Sequence, residues 1–251
     1  MIPIKSAREI ELIKNASGIL FKVARKLTEY VKPGTRTEDI DQIAGELIIE
    51  NSAKPAFFGY RGFPGNICVS LNDELVHGIP GPRRLKDGDI ISIDIGVELE
   101  GYFSDGAVTL PVGRISEEAK KLLEATRNAL KIGIEQARPG NRLSNLSCAI
   151  QKFIEASGFS IVRDFVGHGI GSELHEEPAI PNFGQPNQGP MLEPGMVLAI
   201  EPMATQGGWK IKVLGDHWTA VTCDGLLSAH FEDTVAVTKN GPEALIGMST
   251  L

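Results

Sequence analysis

The segment "ISIDIGVELEGYFSDGAVTL", residues 91–110, combines the pattern of a β-hairpin with two acidic side chains. Two apolar runs flank a turn at Glu100-Gly101, and each run contains one aspartate, Asp94 or Asp105. Pairing across this turn without a bulge places both aspartates on the same face of the hairpin. Two carboxylates on one buried face repel each other, so one must carry a proton or both must bind a cation.

A structural role is the usual explanation for one buried aspartate, which caps a turn or pairs with arginine. The hairpin contains two aspartates and no arginine, and this combination favours a bound metal ion over a structural role.

The composition of the chain excludes several classes of function. The 251 residues are 42% apolar and 23% charged, as in an ordinary globular protein. A net charge of -7 without a Lys/Arg cluster argues against nucleic acid as the primary partner. No segment approaches the ~18 apolar residues of a membrane span, and the N-terminus lacks a signal-peptide core. Three dispersed cysteines suggest neither a zinc module nor a disulfide framework, so we expect a cytoplasmic protein.

Helix signals are concentrated in the first two thirds of the chain. A capping box at residues 6–9 begins one helix, and Thr37 begins a second. A third helix is predicted from Ser116 to about Ala137 and a fourth over about 143–157. The chain after Phe159 has the pattern of strands and long loops. These signals predict an α+β fold with helices around an antiparallel-rich sheet.

Two distant segments of the sequence are similar to each other. "LKDGDIISID", residues 85–94, aligns without gaps on "LEPGMVLAIE", residues 192–201. Both segments have a turn glycine, an apolar run and a final acid, Asp94 or Glu201. Chance similarity is one explanation, but the matched acids favour a pseudo-symmetric fold whose equivalent strands bring acids to the centre.

The same symmetry predicts an acidic partner for Asp105 within "SAHFEDTVAV", residues 228–237. Glu232 is one candidate, whereas an alignment on the phenylalanine of each segment selects Asp233. Because a slip of one residue reverses the face of a strand, the residues alone leave both candidates open.

A second cluster of candidate ligands is "FVGHGIGSELHEEP", residues 165–178, which contains His168 and His175. Its glycines allow close approach of the backbone, and the spacing differs from the helical HExxH pair. A lone histidine is more often a core residue than a ligand, but two in one glycine-rich segment favour function. Four carboxylates and one imidazole suit two divalent ions of the Mn²⁺, Fe²⁺, Co²⁺ or Zn²⁺ type.

Taken with their motifs, these residues closely resemble type I methionine aminopeptidase. The resemblance is carried by "GHGIG…HEEP", by "IEPM" and by five ligand positions: Asp94, Asp105, His168, Glu201 and Glu232. It covers nearly the whole chain, and it favours Glu232 over Asp233 as the last ligand.

The resemblance implies the pita-bread fold of the creatinase/aminopeptidase type, a curved antiparallel-rich sheet with flanking helices and pseudo-twofold halves. We therefore expect a single catalytic domain over residues 1–251, with halves of about 1–110 and 111–251. The implied activity is metal-dependent removal of the N-terminal methionine from nascent proteins whose second residue is small. In that reaction a metal-bridging hydroxide attacks the first peptide bond.

The resemblance also implies a role for individual residues. Asp105 and Glu232 are the expected bridging ligands, with Asp94 completing one metal site, and His168 and Glu201 the other. Glu201 is also the expected general base. His77 and His175 are expected to contact the substrate and stabilise the transition state. The expected methionine pocket consists of Tyr60, Phe63, Cys68, Leu174 and Trp218.

Two other functions are compatible with such a chain. An X-Pro aminopeptidase has the same fold and a similar ligand set, but usually carries a large additional N-terminal domain. A non-catalytic pita-bread binding module would have lost ligand residues, whereas all five are present. The expected partners are nascent polypeptide N-termini, with a ribosome contact also compatible, and the resemblance implies a monomer.

Overall fold

The computed structural model describes residues 2–251. None of its helices is both long and apolar enough to cross a membrane. The four α-helices are α1 (Ala7–Leu27), α2 (Thr37–Glu50), α3 (Glu117–Gln136) and α4 (Leu143–Ala156). Single 3₁₀ turns occur at Thr28–Tyr30, Tyr60–Gly62 and Met248–Thr250.

Fifteen short strands form four antiparallel sheets within this range. The first sheet has the order β1-β4-β2, with β5 on the other edge of β4, and the largest has the order β15-β14-β9-β7-β8. Two three-stranded sheets have the orders β13-β10-β6 and β11-β12-β3. The strands are β1 (Lys54–Pro55), β2 (Cys68–Leu71), β3 (Glu74–Val76), β4 (Ile90–Leu99), β5 (Tyr102–Pro111), β6 (Ser160–Ile161), β7 (Gly167–Gly169), β8 (Glu176–Ile180), β9 (Val197–Ile200), β10 (Met203–Thr205), β11 (Ile211–Val213), β12 (Ala220–Thr222), β13 (Ser228–His230), β14 (Asp233–Thr238) and β15 (Gly241–Ala244).

The helix boundaries follow the predicted capping signals. The Ser6 hydroxyl accepts the Glu9 N–H at 3.3 Å, and the Glu9 carboxylate accepts the Ser6 N–H at 2.7 Å. The predicted capping box is therefore present at the start of α1. The Ser116 hydroxyl accepts the Ala119 N–H at 3.0 Å and caps α3. The predicted α+β class, with helices around antiparallel sheets, is confirmed.

The hairpin of residues 91–110 is formed by β4 and β5. Asp94 lies opposite Ala107, and Gly96 lies opposite Asp105, so both aspartates occupy the same face as predicted. Glu100 and Gly101 have φ values of 52° and 79°, the positive range of the tight turns that suit twisted hairpins.

The similar segments 85–94 and 192–201 have equivalent local structures. Gly88 and Gly195 both have positive φ, 97° and 100°, and each precedes a strand, β4 or β9. β4 pairs with β5, and β9 pairs in the same antiparallel sense with β14. Asp94 and Glu201 therefore come from corresponding places in two sheets and lie at the centre of the molecule.

Candidate functional site

The candidate site is a cavity of about 320 Å³ between the two largest sheets. Its floor is polar and its outer wall is apolar and aromatic. The hairpin supplies Asp94 and Asp105 to the floor, Glu201 directly follows β9, and Glu232 lies between β13 and β14. One ligand atom each of Asp105, His168 and Glu232 lies within 4.8 Å of the other two, close enough to hold one metal ion.

The carboxylates of the floor lack the partners that buried acids normally have. Asp94 Oδ1, Asp105 Oδ1 and Glu232 Oε1 are buried without a hydrogen-bond partner. Across residues 2–251, histidine rings are the only basic groups within 4.0 Å of the four carboxylates. Buried acids without a cationic partner are costly, and a divalent ion is the compensation that this donor set fits.

The electrostatics of the metal-free floor point the same way. Burial raises the pKa of Asp94 to about 7. Burial, followed by the charges of the neighbouring carboxylates, raises the pKa of Asp105 and Glu232 well above the usual range. Burial and the Asp94 charge have the same effect on the pKa of Glu201. Without a metal ion, the four acids cannot all ionise at neutral pH without strong repulsion.

His168 has the environment of a neutral nitrogen ligand. It lies on β7, and its Nδ1 donates to the Gly169 carbonyl at 2.9 Å, which leaves Nε2 free. That Nε2 lies 3.8 Å from both Asp105 Oδ2 and Glu201 Oε1. Burial, with a smaller contribution from His175, lowers the pKa of His168 to about 3. Metal-binding histidines are usually oriented in this way, by a hydrogen bond from the ring nitrogen that does not bind the metal to a backbone carbonyl.

Glu232 and Asp233, which the sequence left as alternatives, point to different parts of the protein. Glu232 is 2% exposed, and its side chain lies in the carboxylate cluster. The Asp233 carboxylate instead accepts backbone N–H groups from Ile246, Gly247 and Met248. Asp233 therefore secures the C-terminal segment and lies outside the site.

His230 is a site residue that the sequence reasoning missed. Its Nε2 lies 3.7 Å from Glu201 Oε2 and 3.8 Å from Glu232 Oε2, and neither ring nitrogen has a hydrogen-bond partner. Burial, and then the nearby His77, lowers its pKa to about 3. The spacing in the sequence could have revealed it. Residues 230 and 232 are two positions apart, so in an extended chain the His230 side chain lies on the same face as the predicted ligand Glu232.

The outer wall contains the residues predicted to form the methionine pocket. Phe63 and Trp218 meet edge to face with ring centroids 5.1 Å apart, and His77 packs against Trp218 at 6.3 Å. The Tyr60 hydroxyl lies 2.9 Å from His175 Nδ1. The remaining members of the wall are Phe57, Cys68 and Leu174, all of them buried.

The same wall carries two of the predicted catalytic side chains, both with altered titration. Burial, and then the neighbouring His175, lowers the pKa of His77 to about 4. Burial and the Arg61 charge lower the pKa of His175. The structure thus places every residue predicted for the site around one cavity, and adds His230.

This geometry agrees with what known proteins show. The profile of metallopeptidase family M24 matches residues 11–239. Methionine aminopeptidase 1 of Bacillus subtilis is 54% identical over 98% of this chain and 99% of its own length. The chain belongs to the methionine aminopeptidases of metallopeptidase family M24. The methionine aminopeptidase of Clostridium perfringens is 53% identical over 98% of each chain.

Solved structures place the fold in the same family. The methionine aminopeptidase of Thermotoga maritima has a TM-score of 0.97 and 44% identity, covering 98% of this chain and 99% of its own. The prolidase of Pyrococcus furiosus has a TM-score of 0.80 and 28% identity, and the match covers 97% of this chain but only 65% of the prolidase. The expected pita-bread fold is confirmed, and it is shared with prolidases.

Proposed function

We infer that this protein removes the N-terminal methionine from polypeptides in a metal-dependent hydrolysis. The observation that carries this inference is the cavity itself. A floor of two buried acids, Asp105 and Glu232, two half-buried acids, Asp94 and Glu201, and neutral imidazoles lies beneath a small apolar wall of aromatic rings and a thiol. Polarizable and aromatic surfaces suit the thioether of methionine. Family membership supports the same activity.

We propose that the floor holds two divalent ions, drawn from Co²⁺, Mn²⁺, Fe²⁺ and Zn²⁺. Asp105 and Glu232 would be shared between the two ions. Asp94 would complete one site, and His168 with Glu201 would complete the other. Ions in such a site polarise a carbonyl group and make water nucleophilic at neutral pH. The orphaned carboxylate oxygens and the free His168 Nε2 support this assignment.

The remaining roles belong to side chains of the protein. We propose that a carboxylate oxygen of Glu201 accepts the proton of the attacking water and passes it to the departing amine. His175 donates a hydrogen bond to the scissile peptide group, and His77 contacts the substrate beside it. Tyr60, Phe63, Cys68, Leu174 and Trp218 surround the methionine side chain and exclude water from the reacting bond.

The natural substrates that we propose are nascent polypeptides with a small second residue. The chain would act as one catalytic domain, a cytoplasmic monomer, and a ribosome contact would place it near its substrates. The net charge of -7 supports the view that nucleic acid is not the primary partner.

Peptide selectivity tests the proposed function. We expect the metal-loaded protein to release methionine from Met-Ala-Ser at least ~100-fold faster than from Met-Ile-Ser. The larger isoleucine side chain should displace the scissile bond, and a displacement of ~1 Å lowers the rate by about that factor. Ala-Pro should be a poor substrate. Faster hydrolysis of Ala-Pro would instead assign the chain to the X-Pro aminopeptidases. The proposal would be refuted if chelation of the metal left the rate unchanged. It would also be refuted if the metal-loaded protein hydrolysed none of these peptides.

A further inference from the structure

The short turn of residues 59–62 lies at the edge of the cavity. Gly59, Arg61 and Gly62 all have positive φ, at 78°, 50° and 89°. The turn is closed by backbone bonds from Tyr60 N–H to Phe57 at 2.9 Å and from Phe63 N–H to Tyr60 at 3.0 Å. A non-glycine residue such as Arg61 adopts this conformation only where the surroundings enforce it. The position of Tyr60 is therefore set by the backbone.

The Tyr60 ring contacts His175 in two ways. Its hydroxyl lies 2.9 Å from His175 Nδ1, and the two rings stack with centroids 5.4 Å apart and an angle of 21°. The His168 ring lies near His175 as well, with a centroid distance of 4.2 Å. His175 thus contacts the rings of both His168 and Tyr60, so its orientation depends on both contacts.

The hydrogen bond also determines which nitrogen of His175 carries the proton. A neutral imidazole has one nitrogen that donates and one that accepts, and a phenol hydroxyl can donate to the accepting nitrogen. The Arg61 guanidinium lies 5.3 Å from the centre of the Tyr60 ring, within the range of a cation–π contact. If Tyr60 donates to Nδ1, the single proton of the neutral imidazole must be on Nε2.

We propose that Tyr60 is a positioning residue that holds His175 as the Nε2–H tautomer, with that N–H available to the substrate. This inference rests on the proposed function, because it deepens the role of His175 as the donor to the scissile peptide. It gives Tyr60 a function beyond lining the methionine pocket. Within residues 2–251, Tyr60 alone among the five predicted pocket residues has a hydrogen bond to His175.

Kinetics of Tyr60→Phe separate the two roles, since the substitution keeps the ring and removes only the hydroxyl. We expect kcat on Met-Ala-Ser to fall roughly 10-fold, the equivalent of one neutral hydrogen bond, with KM changed less than about twofold. The matched control is Tyr102→Phe, whose hydroxyl bonds Glu9 at 3.1 Å outside this cavity. The control should retain the parent kcat. An unchanged kcat in Tyr60→Phe, with or without a higher KM, would overturn the proposal.

Nitrogen NMR of the zinc-loaded protein labelled with ¹⁵N-histidine provides a test that does not depend on activity. In the parent protein we expect His175 to show a protonated Nε2 and an accepting Nδ1. In Tyr60→Phe we expect the Nδ1 signal to lose its hydrogen-bond shift, while His217, which is exposed, keeps its signals. A protonated Nδ1 in the parent would overturn the proposal. If the parent protein cleaves no peptide, the proposed function fails, and the spectrum still decides whether the hydrogen bond sets the tautomer.

Discussion

Without metal ions, the protein should lose stability as the pH rises from about 7 to 8.5. Burial raises the pKa of Asp94 to about 7, and the pKa values of Asp105, Glu201 and Glu232 lie well above the usual range. Each raised group binds a proton in the folded chain that it releases on unfolding. The free energy of unfolding therefore falls with rising pH until the folded pKa is passed.

This pH window isolates the carboxylates from the buried histidines. Burial lowers the pKa of His77 to about 4, and those of His168 and His230 to about 3. A group with a lowered folded pKa costs stability below its unfolded pKa of ~6.5, so these rings are neutral in both states above about pH 7. The histidine contributions are thus nearly constant across the window, and the slope reports the acids, with an addition of the same sign from the Cys68 thiol, whose pKa is raised by burial.

The expected magnitude follows from the number of protons retained. Each one lowers the free energy of unfolding by about 1.4 kcal/mol per pH unit. One proton held across about 1.5 units therefore costs ~2 kcal/mol, or a decrease in Tm of ~4–8 °C for a domain of this size. Metal should abolish the slope, because its ligands are then deprotonated in the folded chain as they are in the unfolded chain. At ~100 times the Kd it adds about 2.7 kcal/mol.

Melting curves of metal-free and metal-loaded protein across this window provide the measurement. The variant Asp94→Asn tests the contribution of one carboxylate, since the amide keeps the shape of the side chain and removes its charge. We expect this variant to melt above the parent when both are metal-free at about pH 8.5, and to gain less from metal. Glu243→Gln, which alters an exposed pair with Lys14, should change neither value appreciably. A metal-free Tm that rises across the window, or a destabilised metal-free Asp94→Asn, would refute the reasoning.

Two further predictions concern histidines of the site. His168→Ala should lower both the rate and the amount of bound metal, measured by elemental analysis. His175→Ala should keep its metal and have a lower kcat, because the hydrogen bond of His175 matters most in the transition state. Equal metal loss in both variants would show that the roles are misassigned. His230→Gln should weaken metal binding roughly 10-fold in a chelator competition, because its ring fills the space beside Glu201 and Glu232. His217→Gln, an exposed imidazole, should bind metal as the parent does, and unchanged affinity in His230→Gln would exclude that contribution.

Much of the fold was predictable because local signals and tertiary structure agree. The hairpin parity put Asp94 and Asp105 on one face, and the observed register has the same parity. The capping residues Ser6 and Ser116 begin the helices they were expected to begin. These features depend on a few neighbouring residues, so the sequence carries them directly.

The features that the sequence did not reveal depend on contacts between distant segments. His230 was overlooked because a single histidine in an apolar strand is usually a core residue, and its nearness to Glu201 arises only when β13 and β10 pair. Choosing between Glu232 and Asp233 from the residues alone required the register of the chain between β13 and β14. The Tyr60 bond to His175 joins positions 115 residues apart, and no local pattern predicts it.

The same hairpin that defines the fold also explains why the site requires a cation. The strands β4 and β5 pack against α1 and gain stability from apolar burial, and that burial removes water from Asp94 and Asp105. The equivalent strands β9 and β14 bring Glu201 and Glu232 to the same point. Folding thus assembles four acids that destabilise the empty site and attract metal. We propose that selectivity depends on the opposite wall, where the turn of residues 59–62 places Tyr60 beside His175 and the apolar pocket.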